Sequence, residues 1–135
     1  MIFGIGTDIL DVSRLEKAIK KFDKKFISRI YGQQEIAIMN TKFRNSNLYL
    51  AKRFAAKEAF WKAINPNRGD GISFKEIETL NDQNNKPYLC FSGKTEIYIK
   101  NKEIKLNSKF KFNISLSDEP PYVLAFVVIY LAQNA

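Results

Sequence analysis

The chain has 135 residues, 45% of them hydrophobic, and carries 22 Lys and Arg against 14 Asp and Glu, one cysteine and no histidine, for a formal charge of +8. A lone Cys90 excludes an internal disulfide, and the missing histidine removes Ser/His and Cys/His nucleophile systems together with the commonest metal ligand. Any chemistry must run on carboxylates, lysines, arginines, hydroxyls or a hard metal ion. The length predicts a single domain over residues 1–135. No charged leader precedes the first strand, and the longest apolar run, YVLAFVVIYLA, is too short to span a bilayer, so a soluble cytoplasmic protein is expected. The net charge suggests an acidic partner, although a chain rich in Lys, Asn, Ile and Phe can also reflect the base composition of its genome.

The opening GIGTDIL holds half of a dinucleotide fingerprint, but Ile9 stands where its third glycine belongs. Strand alternation gives another reading: Ile2, Gly4, Gly6 and Asp8 share one face. That face is bare at its centre, so another element can approach closely, and Asp8 ends the track. Asp11 or Ser13 then caps a helix in which Val12, Leu15, Ile19 and Phe22 recur at helical spacing. Its other face gathers Arg14, Lys17, Lys21, Lys24 and Lys25, provided the helix runs that far. A solvated face is the plain reading; five cations without an interleaved acid favour docking of an acidic surface.

Residues FISRIYGQQEIAIMN predict short helical pieces broken near Gly32, followed by a polar loop, TKFRNSN. Asn47 is expected to cap a long helix, LYLAKRFAAKEAFWKAI, that stops at Asn65-Pro66. Past the loop NPNRGDG, the segments FKEIETL, KPYLCF, KFKFNISLS and YVLAFVVIY read as strands, with a helix between Gly93 and Ile104. The class is α+β, a mainly antiparallel sheet packed with a long central helix.

In the long helix Arg53, Lys57, Trp61, Phe54, Glu58 and Lys62 occupy about half the circumference, and Ala55, Ala56, Ala59 and Ala63 form a small-residue arc opposite. If that arc meets the bare face of the first strand, Asp8 comes near Glu58. Two carboxylates flanked by Arg53, Lys57 and Lys62 would make a half-built Mg²⁺ site with positions left for water and substrate phosphates. Taken alone, Glu58 and Lys62 are an ordinary i,i+4 pair.

The start GIGTDILDVSRLEK, the segment RFAAKEAFWKA, the pair SFKEIE and NNKPY, and the ending FNISLSDEPPYVLAFVVIY together resemble the holo-[acyl-carrier-protein] synthases, small phosphopantetheinyl transferases, over essentially the whole chain. The superfamily signature, an aromatic residue followed by x-x-K-E-A-x-x-K, is matched by Phe54, Lys57, Glu58, Ala59 and Lys62, and its earlier G-x-D by Gly6, Thr7 and Asp8. The resemblance implies the 4′-phosphopantetheinyl transferase fold and transfer of 4′-phosphopantetheine from coenzyme A to a serine hydroxyl of apo acyl carrier protein, in fatty acid biosynthesis, with release of 3′,5′-ADP. It implies Mg²⁺ held by Asp8, Glu58 and the coenzyme pyrophosphate, and Lys62 as stabiliser of the leaving diphosphate. Glu58, directly or through water, is the implied acceptor of the serine proton, with a carrier side chain or bulk water as alternatives. Arg53, Lys57, Lys62 and Lys86 are the implied contacts to coenzyme A. The stripe of Arg14, Lys17, Lys21, Lys24 and Lys25 gains the acidic carrier as its partner, and a homotrimer with active sites between subunits is implied.

Two positions depart from the family. Its members commonly carry H-V-S-I-S-H where this chain has Asn113-Ile114-Ser115-Leu116-Ser117-Asp118. Asn113 can offer hydrogen bonds to coenzyme A but cannot titrate near neutral pH. Asp118 reads as a turn residue before Pro120-Pro121. An RNA-binding module is the main rival, because KFKF sets aromatics and lysines on a strand. Phe110 and Phe112 are in phase with Ile114 and Leu116, which argues for core burial over base stacking, so no nucleic-acid partner is expected, and the short apolar run predicts no membrane partner. A non-catalytic scaffold is disfavoured by intact Asp8, Glu58 and Lys62.

Overall fold

The computed structural model describes residues 1–42, 44 and 46–133. Phe43 and Asn45, in the expected polar loop, lie outside the described residues. Strand β1 (Ile2–Asp11) leads into α1 (Val12–Phe22), α2 (Lys24–Ile30), α3 (Gln33–Met39) and α4 (Ser46–Ile64). A single 3₁₀ turn (Phe74–Glu76), β2 (Ile77–Asn81), β3 (Pro87–Phe91), α5 (Gly93–Leu106), β4 (Ser108–Glu119) and β5 (Tyr122–Gln133) complete the chain. β1, β5 and β4 form an antiparallel sheet in that order, and β2 and β3 pair as a separate antiparallel ribbon.

One contact sets the architecture. A Cβ built on Gly4 would stand 1.9 Å from the Ala63 carbonyl oxygen, and one on Gly6 would stand 1.8 Å from that of Ala59. Two strand residues advance about 6.6 Å and four helical residues about 6 Å, so alternate positions of β1 and every fourth position of α4 keep pace with each other. The bare strand face and the alanine arc therefore meet, as the sequence suggested. Around this contact Phe60 is fully buried, with its ring 4.9 Å from that of Phe91 and 6.0 Å from that of Phe112. Burying such a side chain stabilises the fold by roughly 1.5–3 kcal/mol.

Register sorts the sheet's two faces. Phe112, Ile114 and Leu116 align with Ile129, Val127 and Ala125, and these with Gly4, Gly6 and Asp8, on the α4 side. The far side carries Ile5, Ile9, Tyr122, Leu124 and Phe126, all exposed, together with Asn113, Ser115 and Ser117. Phe110 is buried and Phe112 half-buried, so neither is a free platform for a base.

Three expected details are corrected. Asp11 does cap α1, its Oδ1 accepting from Ser13 N–H at 2.9 Å, but the helix ends at Asp23, where φ is 48°. Lys24 and Lys25 thus begin a second helix, and the five cations do not share one straight face. α4 starts at Ser46, which places Asn47 inside its first turn instead of at the cap. Phe74–Glu76 is a 3₁₀ turn, so the strand expected at FKEIETL begins only at Ile77.

Candidate active site

β1 and α4 bring the carboxylates of Asp8 and Glu58 to one cavity because their bare faces pack. Asp8 follows Gly6 on the strand, and Glu58 precedes Ala59 on the helix. Both line a cavity of about 440 Å³ with Arg14, Leu15, Phe54 and Lys62. Lys62 Nζ donates to the Thr7 carbonyl at 2.8 Å and stands 3.6 Å from Asp8 Oδ1. Burial pushes the Asp8 carboxyl above its ordinary value, and the nearby Lys62 ammonium opposes that rise. Glu58 is pushed up as well, by burial first and by repulsion from Asp8 second. Two half-buried carboxylates, both raised by burial and open to a cleft, make an all-oxygen donor set suited to a hard divalent cation. Among the described residues no third acidic, cysteine or histidine ligand joins them.

A second cavity, of about 630 Å³, lies along the N-terminal half of α4, lined by Tyr49, Lys52, Arg53, Asn81, Asn85 and Tyr88 among others. Among the described residues the two cavities have no lining residue in common. Arg53 Nε donates to the Thr79 carbonyl and Nη2 to Asn81 Oδ1, each at 3.4 Å, and its guanidinium carbon lies 4.1 Å from the centre of the Tyr49 ring. Among the described residues the buried Tyr49 hydroxyl and Thr79 Oγ1 find no hydrogen-bond partner. Lys52 Nζ pairs with Asp118 Oδ1 at 2.7 Å, and Asp118 lies within β4 opposite Val123, so the expected turn role is corrected to that of a counter-ion facing α4.

The structure brings some expected site residues together and separates others. Asp8, Glu58, Lys62 and Arg14 share one cavity, while Arg53 lines the other. Lys57 joins neither, and the expectation that it contacts coenzyme phosphates is corrected. It is fully buried, 2.6 Å from Glu35 Oε1, and also donates to the carbonyls of Phe74 and Ile77. Burial pulls its ammonium below, and Glu35 above, their ordinary values, and the contact between them opposes both shifts. Lys86 is exposed, its backbone N–H bound to Asp82 Oδ1 in the turn between β2 and β3. Asn113 lies on the face of the sheet away from Asp8. Lys17, Lys21, Lys24 and Lys25 are all exposed. Lys52, Asn81 and Asn85 were not singled out from the sequence; the adjacency of Lys52 to Arg53, and of Asn85 to Lys86, was the available signal.

The family model described as 4′-phosphopantetheinyl transferase superfamily matches residues 4–127. The chain belongs to that superfamily, among its holo-[acyl-carrier-protein] synthases. It is 39% identical over 130 residues to the holo-[acyl-carrier-protein] synthase of Orientia tsutsugamushi (strain Boryong), an alignment covering 96% of this chain and 97% of that one. Its structure is similar to that of the synthase from Neisseria meningitidis, with a TM-score of 0.82, 36% identity and coverage of 96% and 99% of the two chains. A further similar structure, with a TM-score of 0.74, 30% identity and 93% and 99% coverage, is the Helicobacter pylori synthase in complex with coenzyme A. The α+β fold expected from the sequence is the fold of these synthases. Among the described residues no helix is long and apolar enough to cross a membrane.

Proposed function

We propose that this chain, as one transferase domain in the cytoplasm, moves 4′-phosphopantetheine from coenzyme A to a serine hydroxyl of an apo acyl carrier protein in fatty acid biosynthesis. The observation that carries the reading is the convergence of Asp8, Glu58 and Lys62 on one cavity, in a chain that belongs to the holo-[acyl-carrier-protein] synthases. Asp8 and Glu58 are the residues that would hold Mg²⁺, and two protein carboxylates leave the remaining positions to water and phosphate. The ion, when bound, supplies charge neutralisation to the pyrophosphate oxygens.

The chain's own residues do the rest. The serine oxygen bonds to the β-phosphorus as the bond from that phosphorus to the bridging oxygen breaks, and 3′,5′-ADP leaves. Glu58, directly or through a water, accepts the serine proton. Lys62, fixed by the Thr7 carbonyl, directs its charge at the leaving diphosphate. Arg53 and Lys52 receive coenzyme phosphates in the second cavity, with Lys86 at its turn. Arg14 stands in the catalytic cavity and the exposed Lys17 and Lys21 follow on α1, so the basic surface starts at the reaction centre and steers an acidic carrier to it.

Within one chain the two cavities are separate, and the sheet's far face exposes Ile5 at 52% and Ile9 at 64%. Both features support a homotrimer in which the second cavity and Asn113 of one subunit serve the carboxylates of the next. The test is intact-mass spectrometry of apo acyl carrier protein incubated with this protein, coenzyme A and Mg²⁺, with an EDTA control. Addition of one phosphopantetheine group only when metal is present supports the reading; no addition across several carriers overturns it.

A further inference from the structure

We infer that the buried Glu35–Lys57 pair is a positioning device for Arg53, setting the aim of its guanidinium in the second cavity and thereby the affinity for coenzyme A. The inference rests on the proposed function, since it takes that cavity to hold coenzyme phosphates.

Both side chains are completely removed from solvent. Desolvating two ions costs several kcal/mol each, and well-packed apolar residues often replace such a pair without loss, so stability alone is a weak reason for its presence. Geometry offers a better one. Glu35 Oε1 accepts from the Gly32 N–H at 3.1 Å and from Lys57 Nζ at 2.6 Å, while Oε2 accepts from the Thr79 N–H at 3.1 Å. The three protons of the Lys57 ammonium are matched by Glu35, the Phe74 carbonyl and the Ile77 carbonyl. A single point therefore ties α3, α4, the 3₁₀ turn and β2 together.

β2 in turn carries both acceptors of Arg53. Thr79 receives Glu35 at its N–H and offers its carbonyl to Arg53 Nε, and Asn81 offers its side-chain oxygen to Nη2. Both bonds to the guanidinium are long, at 3.4 Å, so its direction depends on where β2 sits more than on the strength of either bond. Arg53 also lies one helical turn before Lys57 on α4. The pair thus fixes the arginine from the helix that bears it and from the strand that aims it. Lys57 acts here without touching a ligand.

Coenzyme A binding by calorimetry and the split between KM and kcat test this in three variants: Glu35→Gln/Lys57→Met, which removes both charges and leaves no lone buried ion, Arg53→Ala, and the combination of all three. The first two are each expected to weaken coenzyme A binding roughly tenfold, the scale typical of supporting residues, with the loss falling on KM more than on kcat. The combination is expected to bind no more weakly than Arg53→Ala alone, because the pair acts through the arginine. Glu35→Asp keeps both charges while shortening the reach that joins α3 to α4 and β2, and must show the same coupling should the doubly neutral variant fail to fold. Unchanged affinity in Glu35→Asp or in the doubly neutral variant, no loss in Arg53→Ala, or losses that multiply, would overturn the inference alone. No coenzyme A binding by the unsubstituted protein would overturn the proposed function and this inference with it.

Discussion

Lys62 ties the end of β1 to α4: its ammonium donates to the Thr7 carbonyl at 2.8 Å and lies 3.6 Å from Asp8 Oδ1. Its side chain remains about half exposed, so the pair adds little to stability and leaves the charge free to meet substrate. Lys62→Ala is therefore expected to lower kcat by about 10²-fold with little change in melting temperature. Steady-state kinetics and a melting curve check it; unaltered kcat would remove Lys62 from the reaction.

Asp8 and Glu58 are each held above the ordinary carboxylate range, burial acting first. A carboxyl with a raised folded pKa binds more protons folded than unfolded between the two values, so its contribution to stability is present below the unfolded pKa and lost as pH rises through the folded one. At neutral pH the metal-free protein carries that cost. Glu58→Gln should thus melt higher than the unsubstituted protein at pH 7 in EDTA, lose this advantage in acid where Glu58 is already protonated, and have no transferase activity. Equal melting at pH 7 would show that folding does not raise the proton affinity of Glu58.

Gly6→Ala meets the Ala59 backbone, which cannot rotate away. The substitution is expected to destabilise by at least about 1–3 kcal/mol. A urea titration reads it, and an unshifted midpoint would contradict the close approach of β1 to α4.

The bend at Asp23 ranks the basic residues. Arg14 lines the cavity of Asp8 and Glu58, whereas Lys25 lies beyond the break. Arg14→Glu should raise KM for the carrier by roughly tenfold or more, Lys25→Glu by much less, and both effects should shrink with added salt. Equal effects of the two, or an equal rise in KM for coenzyme A, would argue against docking that starts at the site.

Asp118 neutralises Lys52 beside the second cavity. Asp118→Asn frees that ammonium for phosphate, and coenzyme A should bind a few-fold more tightly at low salt, within the modest range of a partly exposed pair. Weaker binding would mean that Asp118 orients Lys52 instead of competing for it.

The contact that builds the site was legible because it rests on absent side chains: glycine at alternate strand positions and alanine on one arc of a helix can be read without knowing the partner. Lys57 was not. Its helical position groups it with Arg53 and Trp61, and its counter-ion, Glu35, is 22 residues away on a helix whose placement periodicity does not reveal. The break at Asp23 escaped for a local reason, since no glycine or proline marks it and an aspartate takes the positive φ. Asp118 was read from the prolines that follow it, while its partner comes from α4, 66 residues earlier.

Because α4 runs unbroken over 19 residues, the spacing between the cavity lined by Arg53 and the cavity lined by Glu58 is counted in residues. One residue inserted between Arg53 and Glu58 would turn everything beyond it by about 100°, and would put Glu58 out of phase with Asp8 and Ala59 out of phase with Gly6 in the same event. The segment can accept substitutions singly, but a change in its length must come as a whole turn, with a matching shift along β1, or Glu58 and Ala59 lose their partners on the strand together.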